Sequence, residues 1–318
     1  MTRKVGGKTI GMFEMRGTVM KASSVLLALL VLLLAAAGNA EVSVGGRAGA
    51  YLRLGVGVRA IGMGGAFTAI SDDASASYWN PAGLARLDRI ELNGMYSSLS
   101  LDRQHNFAGF AYPFKNIGTV SLSCVNLGMS EIEGRNDLGE LNGSFSDNEM
   151  AFGFAYAKSI SSIVSVGIGA KYLNHTLADN HAKGYGFDAG ILANVWRMAR
   201  IGICIQNIGA KMNWDTDSNH EDRIPITGRI GASVSTGRIP IIFAADLVRY
   251  EGLGEMQLCV GAEYRPMNSI WIRTGYAADE FAAGASIQVR TLQVDYAYAP
   301  DRNLDQGTVQ RIGLSMKF

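Results

Sequence analysis

The feature that most limits what this chain can become is a two-residue alternation that returns fourteen times between residues 90 and 318. In one such run Met150, Phe152, Phe154 and Tyr156 alternate with Ala151, Gly153 and Ala155. In another, Val164, Val166, Ile168 and Tyr172 alternate with Ser165, Gly167 and Lys171. Ile201, Ile203 and Ile205 oppose Gly202, Cys204 and Gln206, and Ile312, Leu314, Met316 and Phe318 oppose Arg311, Gly313, Ser315 and Lys317. A strand turns successive side chains to opposite faces, so each run reads as a strand with one greasy face and one small or polar face. The fourteen candidates centre near residues 94, 110, 123, 154, 170, 190, 204, 230, 244, 260, 273, 285, 295 and 313. Each is expected to run for about 9–12 residues, the length a tilted strand needs to cross a bilayer.

A water-soluble sheet shows the same period, but its solvated face carries many charges. Here only 18% of residues are charged, and the non-apolar faces are rich in Gly, Ala and Ser. Polar connections at 101–105, 130–147, 175–183, 211–223 and 301–307 alternate with short ones at 115–118, 161–162, 196–198, 237–238, 267–268 and 290–291. That is the rhythm of an up-and-down membrane barrel with an even strand number, long loops at one end and short turns at the other. Pro113, Pro225, Pro240, Pro266 and Pro300 stand at strand ends, where no ladder donor is lost. Tyr112, Phe114, Tyr172, Tyr264, Tyr276 and Tyr298 gather near strand ends, as interfacial girdles do. The expected fold class is therefore all-β: a transmembrane antiparallel up-and-down β-barrel of about 14 strands spanning residues 90–318, its greasy face against outer-membrane lipid. The opposite face carries Lys171, Asp188, Arg229, Asp246, Glu263, Arg265, Arg273 and Asp295, which are expected to face the lumen. Pairing across strands to fill the interior is favoured for them over a selectivity path.

The front of the chain has a different character. Residues 25–37, VLLALLVLLLAAA, form an apolar run too short to span a bilayer, with Lys21 before it and Gly38-Asn39-Ala40 after it. This is the pattern of a secretory signal peptide, residues 1–40, cut between Ala40 and Glu41. Met20-Lys21 makes a tidier start, so residues 1–19 read as an upstream start-site artefact. The chain is expected to be exported to the bacterial outer membrane.

Residues 41–89 read as a hatch placed before the barrel. Gly62, Gly64 and Gly65 permit sharp turns or close approach to a wall. Asp72-Asp73 is expected to N-cap a short helix through Trp79, and Asn80 to cap a second one with Pro81 in its first position. The glycines at 55, 57 and 62 do not make a nucleotide loop: the spacing is not G-x-G-x-x-G, and no P-loop lysine follows.

The run Gly62–Gly65 with Ala66-Phe67, then Asp72-Asp73-Ala74-Ser75, then Asn80-Pro81-Ala82-Gly83-Leu84, resembles the N-terminal signature of the PorV/PorQ family, within the FadL-like outer-membrane barrels. The resemblance implies a fourteen-stranded barrel around an N-terminal hatch. It also implies that the C-terminal Phe318 is a signal to the barrel-assembly machinery. The function it implies is transport or protein secretion across the outer membrane, including a part in type IX secretion. Two alternatives stand beside it: a passive channel for small hydrophobic compounds, and a non-transporting barrel that docks envelope or surface proteins through its polar outer loops. Those loops, such as EIEGRNDLGELNGSFSD, offer no greasy groove of the kind FadL-type fatty-acid channels present.

Other chemistries find little support. A net charge of +1 gives no footprint for nucleic acid. Cys124, Cys204 and Cys259 are too few and too widely spaced for a disulfide framework or a metal site. Asp215, Asp217 and Asn219 begin like a calcium loop, but His220 stands where its glycine belongs and Ile226 where its glutamate does. His105, His175, His181 and His220 are all expected in outer loops, and no nucleophile motif accompanies them. No enzymatic activity and no cofactor are expected.

Overall fold

The computed structural model describes residues 47–216, 220–237, 239–252, 256–278, 280–300 and 308–318. The signal segment and the Ala40–Glu41 cleavage point lie outside the described residues, as do Asp217, Asn219 and the loop 301–307.

The alternating runs form β1 (Glu91–Ser98), β2 (Gln104–Phe114), β3 (Gly118–Arg135), β4 (Leu141–Ser159), β5 (Val164–Leu177), β6 (Asn180–Trp196) and β7 (Ala199–Trp214). After them come β8 (Glu221–Arg223), β9 (Thr227–Ser235), β10 (Ile241–Tyr250), β11 (Met256–Met267), β12 (Ile270–Ala277), β13 (Glu280–Val289), β14 (Leu292–Pro300) and β15 (Thr308–Lys317). All pairings are antiparallel between neighbours, and β1 closes the ring on β15 from Glu91↔Lys317 to Ser98↔Gln310. Among the described residues β8 pairs only with β7, at Lys211↔Arg223 to Asn213↔Glu221, above the point where β9 takes over at Gln206↔Thr227. β8 and β9 are thus one wall stave interrupted at residues 224–226, where Pro225 has no N–H to give. The result is a closed fourteen-stave barrel, and each expected strand centre falls in a different stave.

Two expectations need correction. β3 to β7 are longer than a bilayer crossing requires, running to 19 residues in β4. Two of the segments expected as long loops, 130–147 and 175–183, are largely strand. Residues 130–147 continue as a β3–β4 hairpin turning at 136–140, and the connection near 178 is only the tight turn between β5 and β6. The polar residues there satisfy each other's backbone groups, so a hairpin forms where composition alone suggested a loop. The alternation of ends survives in another form: tall hairpins stand at one end, and close turns sit at the end that carries Phe318.

The barrel's outer surface is apolar. Ile168, Ile230 and Ile312 are each more than half exposed, and Phe152, Phe154, Ile203, Leu314 and Tyr296 stand on the same side of the wall. Such a band is costly in water and suits hydrocarbon, and ring closure leaves no strand edge to be satisfied there.

The inside is filled by residues 47–89. They make a 3-10 turn (Ala50–Arg53), the helix α1 (Val58–Gly62), the helix α2 (Ala76–Trp79) and a second 3-10 turn (Pro81–Arg86). The segment enters near the hairpin end, where Arg47 donates to the Gly252 carbonyl, and leaves at the turn end into β1. Its centre is held by Trp79, whose indole donates to the Val56 carbonyl at 2.8 Å and packs edge-on to Phe67.

Candidate functional site in the packed lumen

The Asn80-Pro81 cap forms: Asn80 Oδ1 accepts from the Ala82 amide at 3.1 Å, with Pro81 at the first helical position. The Asn80 amide also donates to the carbonyls of Thr68 (2.9 Å) and Ile191 (3.2 Å), tying the turn to β6. The expected Asp72-Asp73 cap is different. Asp73 Oδ1 accepts from the backbone amide and hydroxyl of Ser75, a turn that precedes α2, while Asp72 caps nothing and pairs with arginines. A buried cation outcompetes a helix end for a carboxylate.

The hatch glycines work through close approach. Gly64 has φ 66°, and a Cβ there would stand 2.7 Å from the Tyr276 amide nitrogen. Gly62 lies against Gly284 of β13, Gly65 against Trp79, and Gly83 against the Ser71 carbonyl. The wall answers with its own small residues. A Cβ on Gly190 of β6 would stand 2.0 Å from Asn80 Oδ1, and one on Gly275 of β12 would stand 2.1 Å from the Gly64 nitrogen. The small face read in the sequence is where the barrel accepts its filling.

The ion-pair network begins at Arg59 on α1. Its Nε and Nη2 reach Glu263 of β11 at 2.8 Å each, and Nη1 reaches Asp72 at 2.6 Å and Asp73 at 3.5 Å. Glu263 also binds Arg273, its cross-strand partner on β12, at 2.6 Å. Arg273 Nη1 then lies 3.3 Å from Asp295 of β14, and Ser286 of β13 bonds to both Arg273 and Asp295. Arg200 of β7 faces Asp72 from the other side of the lumen at 3.7 Å. Burial pushes the Asp72 carboxyl up, but Arg59 and then Arg200 outweigh it and hold it at about 2. The network therefore anchors the interior segment to opposite walls in its charged form.

The other expected lumen charges also face inward. Lys171 and Asp188 pair at 2.9 Å, and Asp188 accepts from the Asn207 amide. Asp246 receives the backbone amides of Phe67 (3.0 Å) and Thr68 (2.9 Å), so it fixes the hatch as a backbone anchor. Arg229 stacks over the Trp79 ring at 4.8 Å and donates to Gln206. Arg265 lies at the turn end, stacked on Trp271. The final residue, Phe318, is exposed on the outside, its amide donating to the Ile90 carbonyl at 3.0 Å.

Two placements were missed. Arg59 is the one cation between residues 54 and 85, opposite an acidic pair in the same segment, and that imbalance was the available signal. His105 lies in β2, not in an outer loop, and is fully buried, with neither ring nitrogen hydrogen-bonded among the described residues. His175 and His181 likewise lie in strands, β5 and β6, at the hairpin rim, and only His220 falls in a loop; His175 pairs with Asp147 at 2.7 Å and packs on Trp214. The three cysteines are free thiols. Among the described residues no group of His, Cys, Asp and Glu could hold a metal ion.

Leu99, Leu173, Met212, Ile224, Val248 and Val309 are buried toward the hairpin end and belong to one apolar cluster with Tyr51, Leu52, Leu54, Val58 and Phe67 of the interior segment, with Arg53, His105 and Arg311 buried beside them. The Arg59 network lies toward the turn end, beneath which a polar cavity of about 390 Å³ opens.

The model of an uncharacterised protein family, UPF0164, matches residues 35–172. No curated protein matches the chain in sequence. Among solved structures, a FadL homologue from Pseudomonas aeruginosa is 12% identical with a TM-score of 0.59, over 83% of this chain and 98% of that one. The toluene transporter TbuX of Ralstonia pickettii is 14% identical with a TM-score of 0.56, over 83% of this chain and 99% of that one. The toluene transporter TodX of Pseudomonas putida is 12% identical with a TM-score of 0.56, over 83% and 97%. At these identities the likeness carries the architecture alone: a closed fourteen-strand antiparallel barrel with short helices near its N-terminus.

Proposed function

We propose that this protein is an outer-membrane barrel that admits small apolar compounds, and that the seated segment 47–89 is its gate. The observation that carries this reading is that the hairpin end of the lumen buries large apolar side chains, while a charged lock grips the interior segment toward the turn end. A passage for polar solutes has polar walls throughout, whereas here Leu99, Leu173, Met212, Val248 and Val309 are buried on that side, alongside the polar Arg53, His105 and Arg311. Two of the barrels with the same architecture are toluene transporters, which agrees with this chemistry. The turn end then faces the periplasm, and Phe318 is the residue offered to the assembly machinery.

The test is uptake of radiolabelled toluene by Gram-negative cells lacking their own apolar-compound channel. Purely phospholipid vesicles are unsuitable, because apolar solutes leak through them. Uptake above the empty-vector rate supports the reading. Uptake at that rate, with the barrel folded and in the outer membrane, overturns it.

A second reading, a PorV/PorQ-type role in secretion or docking, has its own support. Among the described residues, 130–145 of the β3–β4 hairpin pair only with each other, because β2 ends its pairing at Gly128 and the neighbouring hairpin ends at Ala178, whose amide donates to the Ser146 carbonyl. That hairpin projects past its neighbours with Leu138 and Leu141 exposed among polar residues. Co-purification of envelope proteins that is lost when 130–145 is replaced by a short turn would favour this reading over uptake.

A further inference from the structure

The six close turns at the Phe318 end, which join β2 to β3, β4 to β5, β6 to β7, β9 to β10, β11 to β12 and β13 to β14, share a composition. No Asp or Glu stands within 112–120, 156–166, 193–201, 233–242, 264–272 or 287–294. Lys115, Lys158, Arg197 and Arg290 lie there, exposed, and none of the four has a carboxylate within 4.0 Å among the described residues. Beside these cations the turns present large apolar side chains. Ile117, Ile160, Met267 and Val289 are each at least 60% exposed, and Trp196 and Ile239 are exposed with them. The connections at the hairpin end carry carboxylates instead: Asp102, Asp137, Asp179, Asp215 and Glu251.

One place on this collar brings two of the cations together. Lys115 and Lys158 line a single groove of about 430 Å³ with Phe114, Ile117 and Thr119. Asp88 also lines it, but its carboxylate is held by Arg89 at 3.0 and 3.3 Å, so both ammonium groups are left to spare. Phe114 packs on Tyr112 at 4.5 Å, which makes the apolar side of the groove continuous with the outer band of the wall.

An apolar side chain at a turn tip is costly in water, and a charge is costly in hydrocarbon. Side by side they suit the headgroup level of a bilayer, where the alkyl stem of a lysine lies along apolar surface and its charge meets phosphate. The collar also runs around the whole circumference, as a leaflet does, whereas a docked protein covers one side. Without carboxylates to balance it, its net positive charge selects lipids of net negative charge. We propose that this collar binds the anionic phospholipids of the leaflet around it, with the phosphate of one lipid held between Lys115 and Lys158 and its chains against Phe114 and Ile117. The inference rests on the wall facing lipid and not on what crosses the lumen, so it stands or falls apart from uptake.

The experiment is native mass spectrometry of the full-length mature protein in neutral detergent, titrated with phosphatidylglycerol or with phosphatidylcholine of the same chains. The wild type is expected to retain phosphatidylglycerol in preference. A lysine near an anionic lipid surface contributes about fivefold, so Lys115→Gln with Lys158→Gln is expected to raise the phosphatidylglycerol Kd roughly twentyfold. Lys115→Arg with Lys158→Arg keeps both charges and should keep the preference, and Lys183→Gln, at the hairpin end, should change nothing. Free glycerol 3-phosphate at the same concentration is expected not to displace the lipid, because it lacks the chains. Equal retention of the two lipids by the wild type would leave the collar to an acidic protein partner and overturn the proposal. So would an unchanged preference in the glutamine pair, its loss in the arginine pair, or displacement by the free headgroup.

Discussion

Arg59 grips Glu263 through two parallel hydrogen bonds of 2.8 Å, although 204 residues separate them. The first residue belongs to the segment inside the barrel and the second to its wall. Because Glu263 also holds Arg273, one carboxylate couples the position of the interior segment to the register of three wall strands, β11, β12 and, through Asp295, β14.

Removing Arg59 should therefore loosen the filling and leave the wall standing. Breaking a buried pair by deleting one partner typically costs about 3–5 kcal/mol, because the other charge is left uncompensated. Arg59→Ala is expected to speed amide exchange across residues 58–80, with the amides of β11 and β12 nearly unchanged. Measured by hydrogen–deuterium exchange in detergent, equal protection of 58–80 in variant and wild type would show that the pair is incidental.

Asp246 acts on the same segment by another route. Its Oδ2 takes the Phe67 and Thr68 amides together. Asp246→Ala strands two buried donors at about 1–3 kcal/mol each. Asp246→Asn keeps one acceptor oxygen and should lose less. Thermal unfolding followed by the gel shift between folded and heated barrel should rank wild type, Asn and Ala in that order.

The small face of the wall allows a paired test. A Cβ on Gly190 meets Asn80 Oδ1 at 2.0 Å, whereas one on Gly228 meets nothing within 4 Å. Gly190→Ala should displace the Asn80 turn and expose 76–86 to limited proteolysis, and Gly228→Ala should leave the digestion pattern unchanged. Equal sensitivity in both would mean that the fit at Gly190 is slack.

How much of this was written in the alternation can be argued residue by residue. Period two fixes which face Lys171, Asp188 and Glu263 share, because a strand leaves no other choice. It also marks Gly190 and Gly275 as inward, though not as seats for backbone. Partners are another matter. Lys171 finds Asp188, but Arg229 and Asp246 do not find each other. One stacks on Trp79 and the other binds amides, and both choices depend on how residues 47–89 coil inside the ring. Period two is equally silent about length, so the β3–β4 hairpin passed for a loop: its strands run past the apolar band of the wall, and their polar outer faces no longer show the contrast that identifies a strand.

Asp72 gives the network a measurable acid limit. Its carboxyl is held at about 2 in the folded protein, below its ordinary 3.8, by Arg59 and Arg200 against the opposing effect of burial. A depressed carboxylate contributes stability that is present above its unfolded value and is lost as pH falls through the folded one. The contribution is complete above about pH 4 and gone near pH 2. Asp72→Asn removes it at every pH, so the gap in unfolding midpoint between wild type and variant should be constant from pH 7 to about 5, then narrow between about 4 and 2. A gap that stays unchanged to pH 2 would mean that Asp72 is not the ionised partner of Arg59.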